Sequence, residues 1–138
     1  MVTLEANPTY LMGNILIIDD DLAFTDLLDS YIREICPLLK VEICNNPLTA
    51  LALIKKGDNE LIIIDLEMPA LDGMKVYRFA IDAEVDKKRI VILSARDPEY
   101  LREIFPMGSC LAVLNKFEAR QKEVLGMIFK SIQRKLCN

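Results

Sequence analysis

The sequence predicts an α/β fold in which five parallel strands form one sheet with helices on both of its faces, a doubly wound (βα)5 arrangement. Two observations carry that expectation. Aliphatic runs of strand length recur, as in Ile15-Leu16-Ile17-Ile18, Leu61-Ile62-Ile63-Ile64 and Ile90-Val91-Ile92-Leu93. Runs that are apolar at every position, rather than at alternate ones, suit strands buried on both faces. Between them lie stretches whose apolar residues recur at helical spacing, and strand and helix alternate five times without a linker or repeat.

Each element has its own warrant. Residues 1–13, MVTLEANPTYLMG, show no clear period and are expected to be a tail, with the domain occupying residues 14–138. After the first strand, Phe24, Leu27, Leu28, Tyr31, Ile32 and Ile35 form the stripe of an amphipathic helix, capped by Asp21 and closed by Pro37. Residues 41–46 (VEICNN) read as a strand, and 47–57 as a helix opened by Pro47 and stopped by Gly57. A strand at 60–65 (ELIIID) leads into 66–73 (LEMPALDG), which has the proline and Asp-Gly chemistry of a tight loop. Residues 74–88 are expected to be helical, 89–95 (RIVILSA) a strand, 97–105 a short helix ended by Pro106, and 110–116 (CLAVLNK) the last strand. The final helix reaches Cys137 with Leu125, Ile128, Ile132 and Leu136 along one side. Leu101 and Phe105 are expected in the core, and Val113 as a core or half-exposed strand residue.

Composition removes whole classes of function. A chain of 138 residues is one domain, long enough to bury a core. Its net charge of -4 and lack of a concentrated basic stripe argue against direct nucleic-acid binding. Cys36, Cys44, Cys110 and Cys137 lie far apart with no CxxC pair, which suits reduced thiols used as apolar filling. No apolar run reaches membrane-spanning length and no signal pattern opens the chain, so a cytoplasmic location is expected. The chain contains no histidine. Triads built on histidine, histidine metal sites and histidine bases are thereby excluded.

Doubly wound sheets bind ligands beyond the carboxyl ends of their strands. There the first strand ends in Asp19 and Asp20, the third in Asp65, the fourth in Ser94 and the last in Lys116. Three like charges repel and resist desolvation. They are tolerated together where they hold a hard divalent cation, and Mg²⁺, which takes oxygen ligands and keeps several waters, is the expected ion.

These residues give the chain a strong resemblance to the receiver domain of bacterial two-component response regulators. It covers roughly residues 14–136 and rests on IIDDD, IIIDLEMPALDG, VILSARD and LNK, each at a strand end and in the family's order. The resemblance implies a flavodoxin-like fold and a phosphoacceptor, not an enzyme. Asp65 is then the carboxylate that takes a phosphoryl group from a phosphohistidine. Asp20, Asp65 and the backbone carbonyl of Glu67 are Mg²⁺ ligands, with Asp19 acting mainly through a water. Ser94 and Lys116 contact the transferred group. The implied partners are a sensor histidine kinase or histidine phosphotransfer protein and a downstream effector protein or domain, with a homodimer allowed and neither nucleic acid nor membrane involved.

Two departures stand out. The family has Lys-Pro with a cis peptide where this chain has Lys116-Phe117. A cis bond before phenylalanine costs about 3 kcal/mol, so a trans bond is expected, with the amine displaced by a few Å. The family's swinging aromatic falls on Val113. Two other readings of the same residues are open. One is a pseudo-receiver, the fold used as a protein-interaction module without phosphorylation. The other is a haloacid-dehalogenase-like phosphatase, whose D-x-D spacing Asp19 and Asp21 supply; Ala23 and the lack of an acid pair after Lys116 depart from that family.

Overall fold

The computed structural model describes residues 13–137. The expected tail therefore lies outside the described residues, except Gly13, which is the first residue of a strand. The sheet contains β1 (Gly13–Ile18), β2 (Leu39–Cys44), β3 (Asn59–Asp65), β6 (Ile90–Ser94) and β7 (Ala112–Asn115) in the order β2-β1-β3-β6-β7. All four pairings are parallel. A two-residue hairpin, β4 (Glu67–Met68) with β5 (Leu71–Asp72), sits outside the sheet. The helices are α1 (Leu22–Ile35), α2 (Pro47–Lys56), α3 (Gly73–Asp82), α4 (Pro98–Ile104) and α5 (Gln121–Cys137).

The aliphatic runs sort by parity. Leu16, Ile18, Ile62, Ile64, Ile90 and Ile92 face Ala50 and Ile54 of α2, Val76 and Ala80 of α3, and Phe105. Their neighbours Ile15, Ile17, Leu61, Ile63, Val91 and Leu93 face Leu28 and Ile32 of α1 and Leu125 and Phe129 of α5. A period of two thus fills two cores from one sheet, which is why these strands show no polar alternation. Leu101 and Phe105 are buried and Val113 is half-buried, as expected. Phe129, fully buried on α5, was not among the expected core residues.

Caps place the helix starts. Asp21 accepts from the Phe24 N–H, Asn46 from the Thr49 N–H and Asp72 from the Met74 N–H. The strand expected over 41–46 ends at Cys44 because Asn46 serves as that cap.

One expected element is shorter. The helix predicted to continue to Lys88 stops at Asp82, and a 3-10 turn, Lys87–Arg89, precedes β6. The Val85 N–H bonds Ala80 O at 3.0 Å and the Glu84 N–H bonds Ile81 O at 3.0 Å, with Glu84 at φ 65°. This is a Schellman closure with glutamate in the left-handed position that usually takes glycine. Val85, packed back onto the core, is the apolar residue that completes it. Since the left-handed conformation is costly for a residue with a Cβ, Glu84→Gly is expected to raise the unfolding free energy by up to ~1 kcal/mol and Glu84→Val to lower it. Urea denaturation checks the order, and the reverse order would contradict this account of the helix end.

Candidate functional site

The chain runs from β1 outward to β2 and then back across to β3, so the strand order reverses between β1 and β3. Ligands of doubly wound sheets bind at such a switch point. Asp19 follows the last residue of β1, and Asp65 ends β3 in register with Leu93 of β6.

Asp19 and Asp65 are 1% and 4% exposed, while Asp20 stands nearer to solvent. One carboxylate oxygen from each of Asp19, Asp20 and Asp65 lies within 4.8 Å of the others. Asp19 Oδ1 accepts from the Asp21 N–H at 2.9 Å, and Asp65 Oδ1 from the Glu67 N–H at 3.3 Å. Lys116 supplies the positive charge. Its Nζ lies 2.8 Å from Asp19 Oδ2 and 3.6 Å from Asp65 Oδ2, with the Lys116 side chain 10% exposed. The closer contact is a charge-assisted pair, so the buried Asp19 Oδ2 has the Lys116 ammonium as its partner. The Phe24 ring backs the ammonium, 4.7 Å from Nζ to its centroid.

Ser94 is buried at the end of β6, one residue past the partner of Asp65, and its Oγ accepts from the Arg96 N–H at 3.0 Å. Glu67 is held at the site by its N–H, while its side chain pairs with Arg96 at 3.0 Å. The structure therefore brings Asp19, Asp20, Asp65 and Lys116 into one cluster and sets Ser94 and Glu67 at its rim.

Among the described residues no peptide bond is cis, and Lys116 reaches both carboxylates from a trans backbone. Asn115 shows how. Its Nδ2 donates to Arg96 O, and its Oδ1 accepts from the Phe117 N–H at 2.7 Å. Sequence reasoning missed Asn115; its one signal was an asparagine beside the departure from Lys-Pro, a residue able to bond its own backbone two positions on. It also read Gly73 only as turn chemistry. A Cβ there would lie 2.2 Å from Asp65 O and 2.5 Å from Leu66 Cα, so glycine lets α3 start directly against the strand end that carries Asp65.

Burial is the main cause that pushes the Asp65 carboxyl up to about 7, and the Asp19 charge adds to it, against the opposing Lys116 charge and Glu67 N–H. For Lys116, burial alone acts to lower the ammonium. The contact with Asp19, then the charges of Asp19, Asp65 and Asp21, outweigh it and raise the net value.

A parallel (βα)5 domain with buried carboxylates and a lysine at its switch point belongs to the flavodoxin-like class. Residues 15–122 match the family model of the response regulator receiver domain, and the chain belongs to that family. It is 31% identical over 110 residues to the two-component response regulator ARR12 of Arabidopsis thaliana, covering 78% of this chain and 18% of that protein. It is 37% identical over 65 residues to the cyclic di-GMP phosphodiesterase response regulator RpfG of Xanthomonas campestris, covering 47% of this chain and 17% of that protein. The chain thus spans less than a fifth of these curated relatives. Among solved structures, the receiver domain of a Pseudomonas aeruginosa sensor histidine kinase, with a magnesium ion coordinated in its active site cleft, aligns with a TM-score of 0.70 and 19% identity, over 88% of this chain and 98% of that one. A CheY-like receiver domain from Methanospirillum hungatei gives 0.71 and 20%, over 91% and 96%. At these identities the likeness establishes the fold.

The raised Asp65 value has a sign that can be checked. Between the ordinary carboxylate value, about 4, and the folded value of about 7, the native state holds the proton that the unfolded chain has released. Stability contributed at Asp65 is therefore present at low pH and lost as pH rises through that window. In chelator-treated protein, Asp65→Asn is expected to gain stability relative to wild type from pH 4.5 to pH 7.5. A difference that stays flat with pH in denaturant unfolding would contradict the raised value.

Proposed function

We propose that this receiver domain takes a phosphoryl group from a phosphohistidine onto Asp65, with Mg²⁺ held by Asp19, Asp20, Asp65 and the Glu67 carbonyl. The observation that carries the reading is the cluster itself: three carboxylates, two of them buried, against one ammonium. That donor set fits a hard cation with oxygen ligands, and with all three carboxylates ionised two units of negative charge remain for it to neutralise. When bound, the ion supplies charge neutralisation for the attacking and transferred oxygens.

The protein's own groups account for the rest. An Asp65 oxygen attacks phosphorus; the new O–P bond forms as the P–N bond breaks, and the donor imidazole leaves with that electron pair. The Glu67 N–H fixes the other Asp65 oxygen and so orients the nucleophile. Lys116 would pair with the phosphoryl oxygens and Ser94 would hydrogen-bond them; the 3.6 Å approach of Lys116 to Asp65 supports the first role. Phosphoryl transfer is mostly positioning and electrostatic stabilisation, and this site supplies both. The histidine that the chain lacks belongs to the donor, a sensor histidine kinase or histidine phosphotransfer protein, and the output passes to an effector protein or domain. The cytoplasm is the proposed location for this exchange. Among the described residues no helix is long and apolar enough to cross a membrane.

Acetyl phosphate with Mg²⁺ is expected to add one base-labile phosphoryl group at Asp65, lost in Asp65→Asn; peptide mapping after labelling checks it. A label on Asp19 would favour the phosphatase-like reading, and no label with normal Mg²⁺ binding the pseudo-receiver. Mg²⁺ alone is expected to raise the melting temperature, since a ligand of the native state stabilises it by mass action. That rise should shrink in Asp20→Asn; an unchanged rise would place the ion elsewhere.

A further inference from the structure

We infer that Asn115 is a positioning residue of this site: its side chain ties the loop after β6 to the loop after β7 and thereby holds the Lys116 ammonium against Asp19 and Asp65. The inference deepens the acceptor reading and rests on it only where phosphoryl transfer is the readout.

A lysine has a long stem and loses considerable freedom when its head is fixed, so the backbone that launches it must be fixed first. Here both flanks of Lys116 are pinned. The Lys116 N–H bonds Ser94 O at 2.8 Å. On the other side, Asn115 Oδ1 holds the Phe117 N–H at 2.7 Å, an asparagine turn closed on its own chain. Asn115 Nδ2 then reaches across to Arg96 O. The residue is 6% exposed, so both bonds are shielded from water.

The chemistry is specific to the residue type. Both an acceptor and a donor are used, which asparagine offers and an ionised aspartate does not. The acceptor needs an N–H at position 117, which proline lacks. The Phe117 side chain is 81% exposed, so this position contributes its backbone N–H rather than its ring. Asn115 with a residue bearing an N–H at 117 is therefore a self-consistent way to aim Lys116 from a trans peptide. The clamp extends further, because the side chain of Arg96 pairs with Glu67 on the acceptor loop. Three loops at the site mouth, those carrying Glu67, Arg96 and Lys116, are joined through one asparagine and one arginine.

The test compares wild type with Asn115→Ala and Asn115→Ser, since serine can close the same turn more weakly. The first readout is the ¹H–¹⁵N ammonium signal of Lys116 in the metal-free protein, visible when the ammonium is held and shielded from exchange. The second is the rate of labelling by acetyl phosphate at saturating Mg²⁺, set beside the melting temperature. Asn115→Ala is expected to lose the Lys116 signal and to slow labelling by roughly tenfold to a hundredfold, the effect of a small misplacement at a reacting centre. Asn115→Ser should recover part of both, although its melting temperature also falls. An unshifted Lys116 signal in Asn115→Ala would overturn the inference, as would losses that follow melting temperature alone in both variants. If wild-type protein takes no label, the acceptor reading fails, and the ammonium spectra decide the role of Asn115 by themselves.

Discussion

Two carboxylates held almost out of water at the ends of adjacent strands, with one ammonium against them, form the constraint on which this site depends. An ionised group in a low-dielectric position is costly unless it is paired and hydrogen-bonded. Asp19 and Asp65 meet that requirement only in part. Each receives one backbone N–H, and both draw on Lys116. Much of the local architecture follows from this arrangement. Asp21 turns the chain so that its N–H faces Asp19 while its side chain caps α1. Gly73 brings the start of α3 against the backbone of Asp65. Asn115 ties the Phe117 N–H and the Arg96 carbonyl beside Lys116, whose ammonium reaches both acids.

The charge balance also separates stability from function. Removing one member of a buried pair leaves an uncompensated charge and typically costs about 3–5 kcal/mol. Replacing a whole buried ionic cluster by aliphatic side chains of similar volume is, by contrast, often neutral or stabilising, so stability alone does not account for acids at these strand ends. Their cost is understandable if a cation or a phosphoryl group uses the same oxygens. Arg96 pairs with Glu67 and stacks at 4.1 Å over Tyr100 of α4. Val113 is half-buried against the core, and the nearby aromatic packing is Tyr77 on Phe105, with the Tyr77 hydroxyl donating to Ser109 O at 2.7 Å.

The sheet was legible because burial on both faces leaves a direct trace: unbroken aliphatic runs at 15–18, 61–64 and 90–93. The acidic cluster was legible because like charges gathered at buried strand ends repel one another unless a cation joins them. What the sequence hid was set by tertiary contacts. The end of α3 carries glutamate where a left-handed residue is needed, and Val85 closes that turn only because the core receives it. Lys116 was expected to drift without a proline after it. The asparagine before it forms two bonds to backbone groups, one of them in a loop 19 residues away. No spacing rule reports such a bond.

The most direct test of the account is thermal unfolding of Lys116→Met beside wild type at pH 8, with and without Mg²⁺. Methionine keeps the apolar stem and removes only the charge. If Lys116 offsets the two buried carboxylates, the variant melts well below wild type without metal. It also gains more from Mg²⁺ than wild type does, because the cation then supplies charge that nothing else provides. Equal melting temperatures without metal, or equal gains with it, would show that the ammonium does not hold this cluster together.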